Sequence, residues 1–300
     1  MSRYTTSITL SGLGRLYGPG LDGLVETALI AEEAGIDQVV MTDHLAIGGR
    51  TDRYPYGTFP FPPEEPWPEP LTTLAVIAGA TSRIRLGTGV LIVPIRPALL
   101  LAKTLGTLDV LSGGRVDVGV GTGWQREEFE AAGVPFEGRT ARMDDVLGAC
   151  RAIWTDSPAS FKSDTVSFEG MHVEPRPVQP GGPPLWFGVG VGPKNASRIA
   201  RFDGGWMPIA PEPEVLARGI DAIREAYSAA GKSADGLQVR GAPAPVFSKS
   251  GRPELGATLD AIPPLLDAGA TQISLAVAAF AHKREAIAPF VRAFAEYAAG

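Results

Sequence analysis

The chain has 300 residues, 44% hydrophobic and 20% charged, a balance that suits a buried core and excludes disorder over most of the length. Its net charge of −6, with Lys and Arg scattered rather than clustered, provides no basic field for a nucleic-acid backbone. Cys150 is the sole cysteine, which excludes an internal disulfide and fits a reducing, cytoplasmic setting; Met1 to Leu10 is too short and polar for a signal peptide, and no apolar run approaches the roughly 20 residues that cross a bilayer.

Ser7 to Ser11 reads as a first strand. Leu21, Leu24, Val25, Ala28 and Leu29 then share one helical stripe that stops at Gly35, ahead of the short apolar strand Gln38 to Met41. The alternation recurs as a helix near Leu71 to Thr81 before strand Ile84 to Val90, and a helix near Ala98 to Leu111 before strand Val116 to Val120. Met143, Val146, Leu147, Cys150, Ile153 and Trp154 form the next stripe, which makes Cys150 a core residue rather than a nucleophile; Leu185 to Val189 is the strand that follows. Then come a helix from Lys194, a strand around Trp206, a helix through Leu216, Ile220, Ile223 and Tyr227, and a strand at Gln238 to Gly241. A helix near Leu255 to Leu266, strand Gln272 to Val277 and a closing helix with Ile287, Phe290, Val291 and Phe294 complete eight strand–helix units. Eight such units predict an α/β fold, one (β/α)₈ TIM barrel over residues 1–300, with its active site at the C-terminal ends of the strands.

Two insertions break the rhythm, residues 45–70 and 156–184, the second with a hairpin over Phe161 to Val173. Long loops in a barrel usually cover the active site. The first carries Tyr54, Tyr56, Phe59, Phe61 and Trp67, which either line a pocket for an apolar or aromatic substrate or pack on one another. Asp43 and His44 fall just beyond the second strand, where a carboxylate and an imidazole can orient a ligand and move protons; by position alone, capping or fixing a loop explains them equally well.

Gly119, Gly121 and Gly123 follow the fourth strand and clear side chains from where a flat ring or phosphate approaches the backbone, but their spacing fails the dinucleotide fingerprint at Trp124. Gly188, Gly190 and Gly192 lead into Pro193, a good first helical residue, so free N–H groups there suit a phosphate, with Lys194 or Arg198 to assist. Adjacent Glu127 and Glu128 point in different directions and read as first-turn helix charge. His172 and His282 stand apart, leaving no set of ligands spaced to hold a metal.

Taken together, Thr42–Asp–His–Leu45, Ile84–Arg–Leu–Gly–Thr–Gly–Val90, Thr107–Leu–Asp–Val–Leu–Ser–Gly–Gly–Arg115 and Val173–Glu–Pro–Arg–Pro–Val178 ahead of Leu185–Trp–Phe–Gly188 resemble the luciferase-like monooxygenase superfamily, in particular its coenzyme F420-dependent oxidoreductases. The resemblance spans nearly the whole chain. It implies hydride transfer between a deazaflavin and a small organic substrate, with His44 and Asp43 as catalytic residues. The cofactor would lie along Asp43, Thr88, Gly89, Val90, Gly121, Thr122 and Gly123, across a non-proline cis peptide at Gly89–Val90. Its phosphate would reach Gly190, Val191 and Gly192, with Arg139 or Arg142 as further donors, and Trp124, Trp67 and Phe61 would face the substrate. Related sugar-phosphate dehydrogenases carry a glutamate where this chain has Trp124, which argues against sugar-phosphate oxidation, and the extra glycine in Asp203–Gly–Gly–Trp206 leaves the role of Asp203 open. The resemblance allows two further readings: an FMN-dependent monooxygenase fed by a separate reductase, and a non-catalytic flavin or deazaflavin carrier. Barrels of this kind often form homodimers.

Overall fold

The computed structural model describes residues 4–17 and 22–300, so Leu21 of the first helical stripe lies outside the described residues. In chain order the first half comprises β1 (Thr5–Thr9), α1 (Gly14–Tyr17), α2 (Asp22–Ala34), β2 (Gln38–Met41), α3 (Pro70–Ala80), β3 (Arg85–Thr88), β4 (Leu91–Ile92), α4 (Ala98–Ser112), β5 (Val116–Gly121), α5 (Arg126–Ala131) and α6 (Arg139–Thr155). The second half comprises a hairpin of β6 (Ala159–Lys162) and β7 (Ser167–Met171), then β8 (Leu185–Phe187), α7 (Pro193–Arg201), β9 (Gly205–Trp206), α8 (Pro213–Ala229), β10 (Arg240–Gly241), α9 (Leu255–Leu259), α10 (Ile262–Asp267), β11 (Gln272–Ala276), α11 (Val277–Phe280) and α12 (Ile287–Ala299).

Among the described strands every pairing outside the hairpin is parallel, in the order β10–β11–β1–β2–β3–β5–β8–β9. A parallel bridge between Trp206 and Val239 brings the two ends together, giving the expected (β/α)₈ barrel. Register follows the period of two. Val39 pairs with Leu86, and both join the core between strands and helices, with Ile8, Val118, Leu185 and Ile273. The alternate residues turn inward and are unusually polar. Gln38 of β2 donates to Asp117 of β5 (2.7 Å), and Arg240 of β10 donates to Gln38 (3.1 Å) and Gln272 (2.9 Å). Because β2 neighbours neither β5 nor β10, the first two bonds cross the barrel interior and plug it below the strand ends.

Several boundaries differ from the sequence expectation, three of them for identifiable physical reasons. The first strand is Thr5–Thr9, shifted toward the N-terminus, because its ladder runs opposite Gln272–Ala276. The strand expected over Ile84 to Val90 stops at Thr88; the Gly89–Val90 peptide that follows is cis, and Leu91–Ile92 pairs with β5 alone. The helix expected over Leu255 to Leu266 divides into α9 and α10, since Pro263 and Pro264 supply no N–H to continue the first segment. No described helix is long and apolar enough to cross a membrane.

The insertions part company. The first lies over the strand ends, as the next subsection describes. The second does not cover the site: β6 runs along the outside of α6, where a side chain on Gly148 would strike the Phe161 ring. Cys150 is buried in α6, its thiol against the Ala98 carbonyl at 3.7 Å.

Candidate active site

At the C-terminal ends of the strands lies a cavity of about 420 Å³, within the roughly 300–1,000 Å³ usual for small-molecule sites. Its floor is nearly bare backbone. Gly89, Val90, Gly121 and Gly188 line it, and the Val90 side chain sits between the last two: a Cβ on Gly121 would come within 2.5 Å of Val90 Cγ2, and one on Gly188 would overlap Val90 Cγ1. Glycine is required at both positions by this close approach.

His44 lies three residues beyond the end of β2 and is buried. Its Nδ1 lies 3.0 Å from Glu128 Oε2, while the other oxygen of Glu128 accepts the Leu45 N–H at 2.6 Å. A carboxylate only accepts, so it holds the proton of neutral imidazole on Nδ1 and leaves Nε2, which bonds no described residue, as the base. Around the ring stand Trp67, Phe59 and Trp124, edge-on with centroids 4.9, 6.0 and 6.0 Å away. Tyr54 and Phe61 extend this wall by contacts to Phe59 and Trp67, so the aromatic residues of the 45–70 loop both line the cavity and pack on one another. Gln125 fastens the loop, accepting the Gly48 N–H (2.7 Å) and donating to the Gly48 carbonyl (3.1 Å).

Asp43 plays a different part from the one its neighbour suggests. One oxygen accepts the Ile92 N–H at 2.8 Å and the other accepts Arg96 Nη2 at 2.9 Å, so the carboxylate braces the segment after the cis peptide and does not hold His44. Burial pushes its carboxyl above the ordinary value, against the opposing pull of Arg96 and the Ile92 N–H.

The luciferase-like monooxygenase family model matches residues 3–288. The chain belongs to that family. Among relatives of this luciferase-like protein, the uncharacterized protein Rv0940c of Mycobacterium tuberculosis is 33% identical over 213 residues, covering 70% of this chain and 73% of the relative. The F420-dependent glucose-6-phosphate dehydrogenase of the same organism is 31% identical over 222 residues, covering 71% and 61%. The uncharacterized protein Rv0953c, also from M. tuberculosis, is 37% identical over 169 residues, a match spanning 58% of its length. In fold, a monooxygenase from Streptomyces bottropensis superposes with a TM-score of 0.81 at 23% identity over 98% of both chains. An F420-dependent secondary alcohol dehydrogenase does so at 0.77 and 18%, again over 98% of both.

Within this luciferase-like barrel, the cavity gathers Asp43, His44, Gly89, Val90, Gly121, Thr122, Gly123, Trp124, Trp67 and Phe61. Thr88 is not among the lining residues: its hydroxyl donates to the Gly119 carbonyl at 2.8 Å, inside the wall. Arg139 also stays outside, its guanidinium stacked 3.8 Å over the Phe136 ring and its Nε on the Gly123 carbonyl, and Arg142 is spent on the Pro94 carbonyl. Gly190, Val191 and Gly192 lie beyond the lining, at the start of α7; a Cβ on Gly190 or Gly192 would meet open space. Arg198 is tied to Asp144 at 2.5 Å and is not free to assist there. Asp203 takes a left-handed conformation (φ 49°) at the end of α7 and pairs with Lys232 at 2.9 Å, away from the cavity.

Sequence reasoning missed Glu128, Arg96 and Arg240. First-turn charge describes Glu127, which faces Arg53 at 3.7 Å, but Glu128 is buried against His44. The available signal was helical geometry itself, which turns adjacent residues to different faces and leaves one of them to point inward.

Proposed function

We propose that the chain is a coenzyme F420-dependent oxidoreductase that transfers hydride between the deazaflavin and a small, largely apolar organic substrate. The observation that carries this reading is a buried His44–Glu128 pair whose free Nε2 belongs to a cavity with a glycine floor and aromatic walls. The F420-dependent activities named for one relative and one structural neighbour support it.

The residues fit the cofactor. Gly89, Val90, Gly121, Thr122 and Gly123 offer a flat surface for a planar ring, and the backbone from Gly190 to Gly192, opening onto the N-terminus of α7, suits a phosphate. When bound, the deazaflavin supplies the hydride acceptor, or donor in reverse. His44 Nε2 takes the proton of a substrate hydroxyl as hydride leaves the neighbouring carbon, and returns it in the opposite direction. Glu128 steadies the imidazolium so formed and holds the ring in one tautomer. Trp67, Phe59, Tyr54 and Trp124 exclude water and supply apolar contact to the substrate. These aromatic side chains favour an uncharged substrate over a sugar phosphate.

Replacing His44 with Ala is expected to cut turnover by a factor on the order of 10²–10⁴, with cofactor affinity held within a few-fold. Turnover left intact would remove His44 from the mechanism. A second reading, an FMN-dependent monooxygenase, draws on the likeness to the Streptomyces monooxygenase and to a Pseudomonas putida Baeyer–Villiger monooxygenase solved with FMN (TM-score 0.65, 16% identity), and it predicts substrate-dependent oxygen consumption with reduced FMN.

A further inference from the structure

Arg240 is the cation of the polar plug inside the barrel. It projects from β10 into the interior and is 7% exposed, yet no carboxylate bonds it: Nε donates to Gln272 Oε1 and Nη2 to Gln38 Oε1, both uncharged acceptors. The acid in that layer, Asp117, is committed to Arg85, with two bonds of 2.7 Å, and to Gln38. Nη1 bonds no described residue. It lies 3.2 Å from where a Cβ on Gly89 would stand, and Arg240 lines the cavity beneath the cis peptide. Burial presses the guanidinium down to about 10, still well above neutral pH, so the group is charged when the protein works. Desolvating a charge without an ion-pair partner is costly, and such a group persists where a ligand charge meets it.

We propose that Arg240 is the counter-charge for the reduced cofactor ring, with Nη1 donating to the electron-rich edge of the ring at the cavity floor. This rests on the coenzyme reading given above. In the oxidative direction the substrate C–H bond breaks and its electron pair leaves with hydrogen to form a C–H bond on the ring; the substrate hydroxyl proton passes to His44 Nε2; the substrate is oxidised to a carbonyl, and the ring is reduced and carries one additional negative charge. His44 and Arg240 then divide the two charges the reaction creates, the proton on the substrate side and the negative ring on the floor side. Gln38 and Gln272 orient the guanidinium, the Trp186 ring lies 5.8 Å from it, and Asp117 acts on it only through space while bonded to Arg85 and Gln38, so Nη1 stays available to the ligand.

The test is a binding titration with oxidised and reduced coenzyme F420, following tryptophan quenching, on the wild-type protein and the Arg240→Lys and Arg240→Met variants. The wild-type protein is expected to bind the reduced form at least about tenfold more tightly than the oxidised one. Arg240→Met should erase most of that preference while changing oxidised-form affinity less than threefold, and Arg240→Lys should retain part of it. Equal affinity of the wild-type protein for the two forms overturns the proposal even if Arg240→Met does not fold, as does a preference that survives in Arg240→Met. Failure of the wild-type protein to bind either form overturns the coenzyme reading itself, and the proposal with it.

Discussion

Glu128 holds His44 across 84 positions of sequence, and its role is the clearest example of what a linear reading cannot supply. Asp43 and His44 were legible because they lie just beyond the end of a short apolar strand, where a barrel places its chemistry; nothing local distinguishes Glu128 from Glu127. Glu128→Gln tests the pairing with little change of volume. The amide oxygen can still accept the Leu45 N–H, but the amide nitrogen then donates to Nδ1 and forces the imidazole proton onto Nε2, so turnover should fall by roughly a hundredfold or more with cofactor affinity nearly unchanged. An activity within threefold of wild type would show that Glu128 only secures the loop. At Cys150 the expectation is inertness: complete burial raises the thiol to about 12, so a thiol-directed disulfide reagent at pH 8 should label the native protein only at the rate of unfolding, and stoichiometrically in denaturant. Rapid labelling of the folded chain would contradict that burial.

Among elements, the ladder break after β3 does the most to shape the site. It lifts Val90 between Gly121 and Gly188, a feature the glycine pattern hinted at and only the backbone path explains. Gly121→Ala should therefore disturb Val90 and weaken binding of the cofactor by about tenfold or more, while the circular dichroism spectrum stays that of the wild-type protein. Unaltered binding would mean that the floor yields easily and does not define the ring site. The two insertions were equally conspicuous as breaks in the helix–strand rhythm, yet one covers the cavity and the other packs outside α6. Aromatic content separates them in retrospect, because Tyr54, Tyr56, Phe59, Phe61 and Trp67 all fall in the first insertion, whereas the hairpin carries only Phe161 and Phe168 and is exposed at most positions of both strands.

At the scale of the whole molecule the barrel was legible from its repeat, and family motifs far from the cavity turn out to hold that repeat closed. Asp109 accepts the Val178 and Gln179 N–H groups, tying α4 to the segment before β8, and Arg115 donates to the Ala78, Thr81 and Ile84 carbonyls, capping α3 as it turns into β3. Arg115→Ala should lower the thermal midpoint by roughly 5–10 °C without altering the ratio of oxidised to reduced cofactor affinity, a split that calorimetry and titration read separately. The polar plug inside the barrel was not legible, since Gln38, Asp117, Arg240 and Gln272 come from four strands and look like isolated polar residues until closure brings them together.

Titrating the purified protein side by side with coenzyme F420 and FMN asks whether a deazaflavin occupies the glycine-floored cavity. Micromolar or tighter binding of the deazaflavin, with FMN at least about tenfold weaker, is the predicted result. Preference for FMN, or binding of neither, would contradict it.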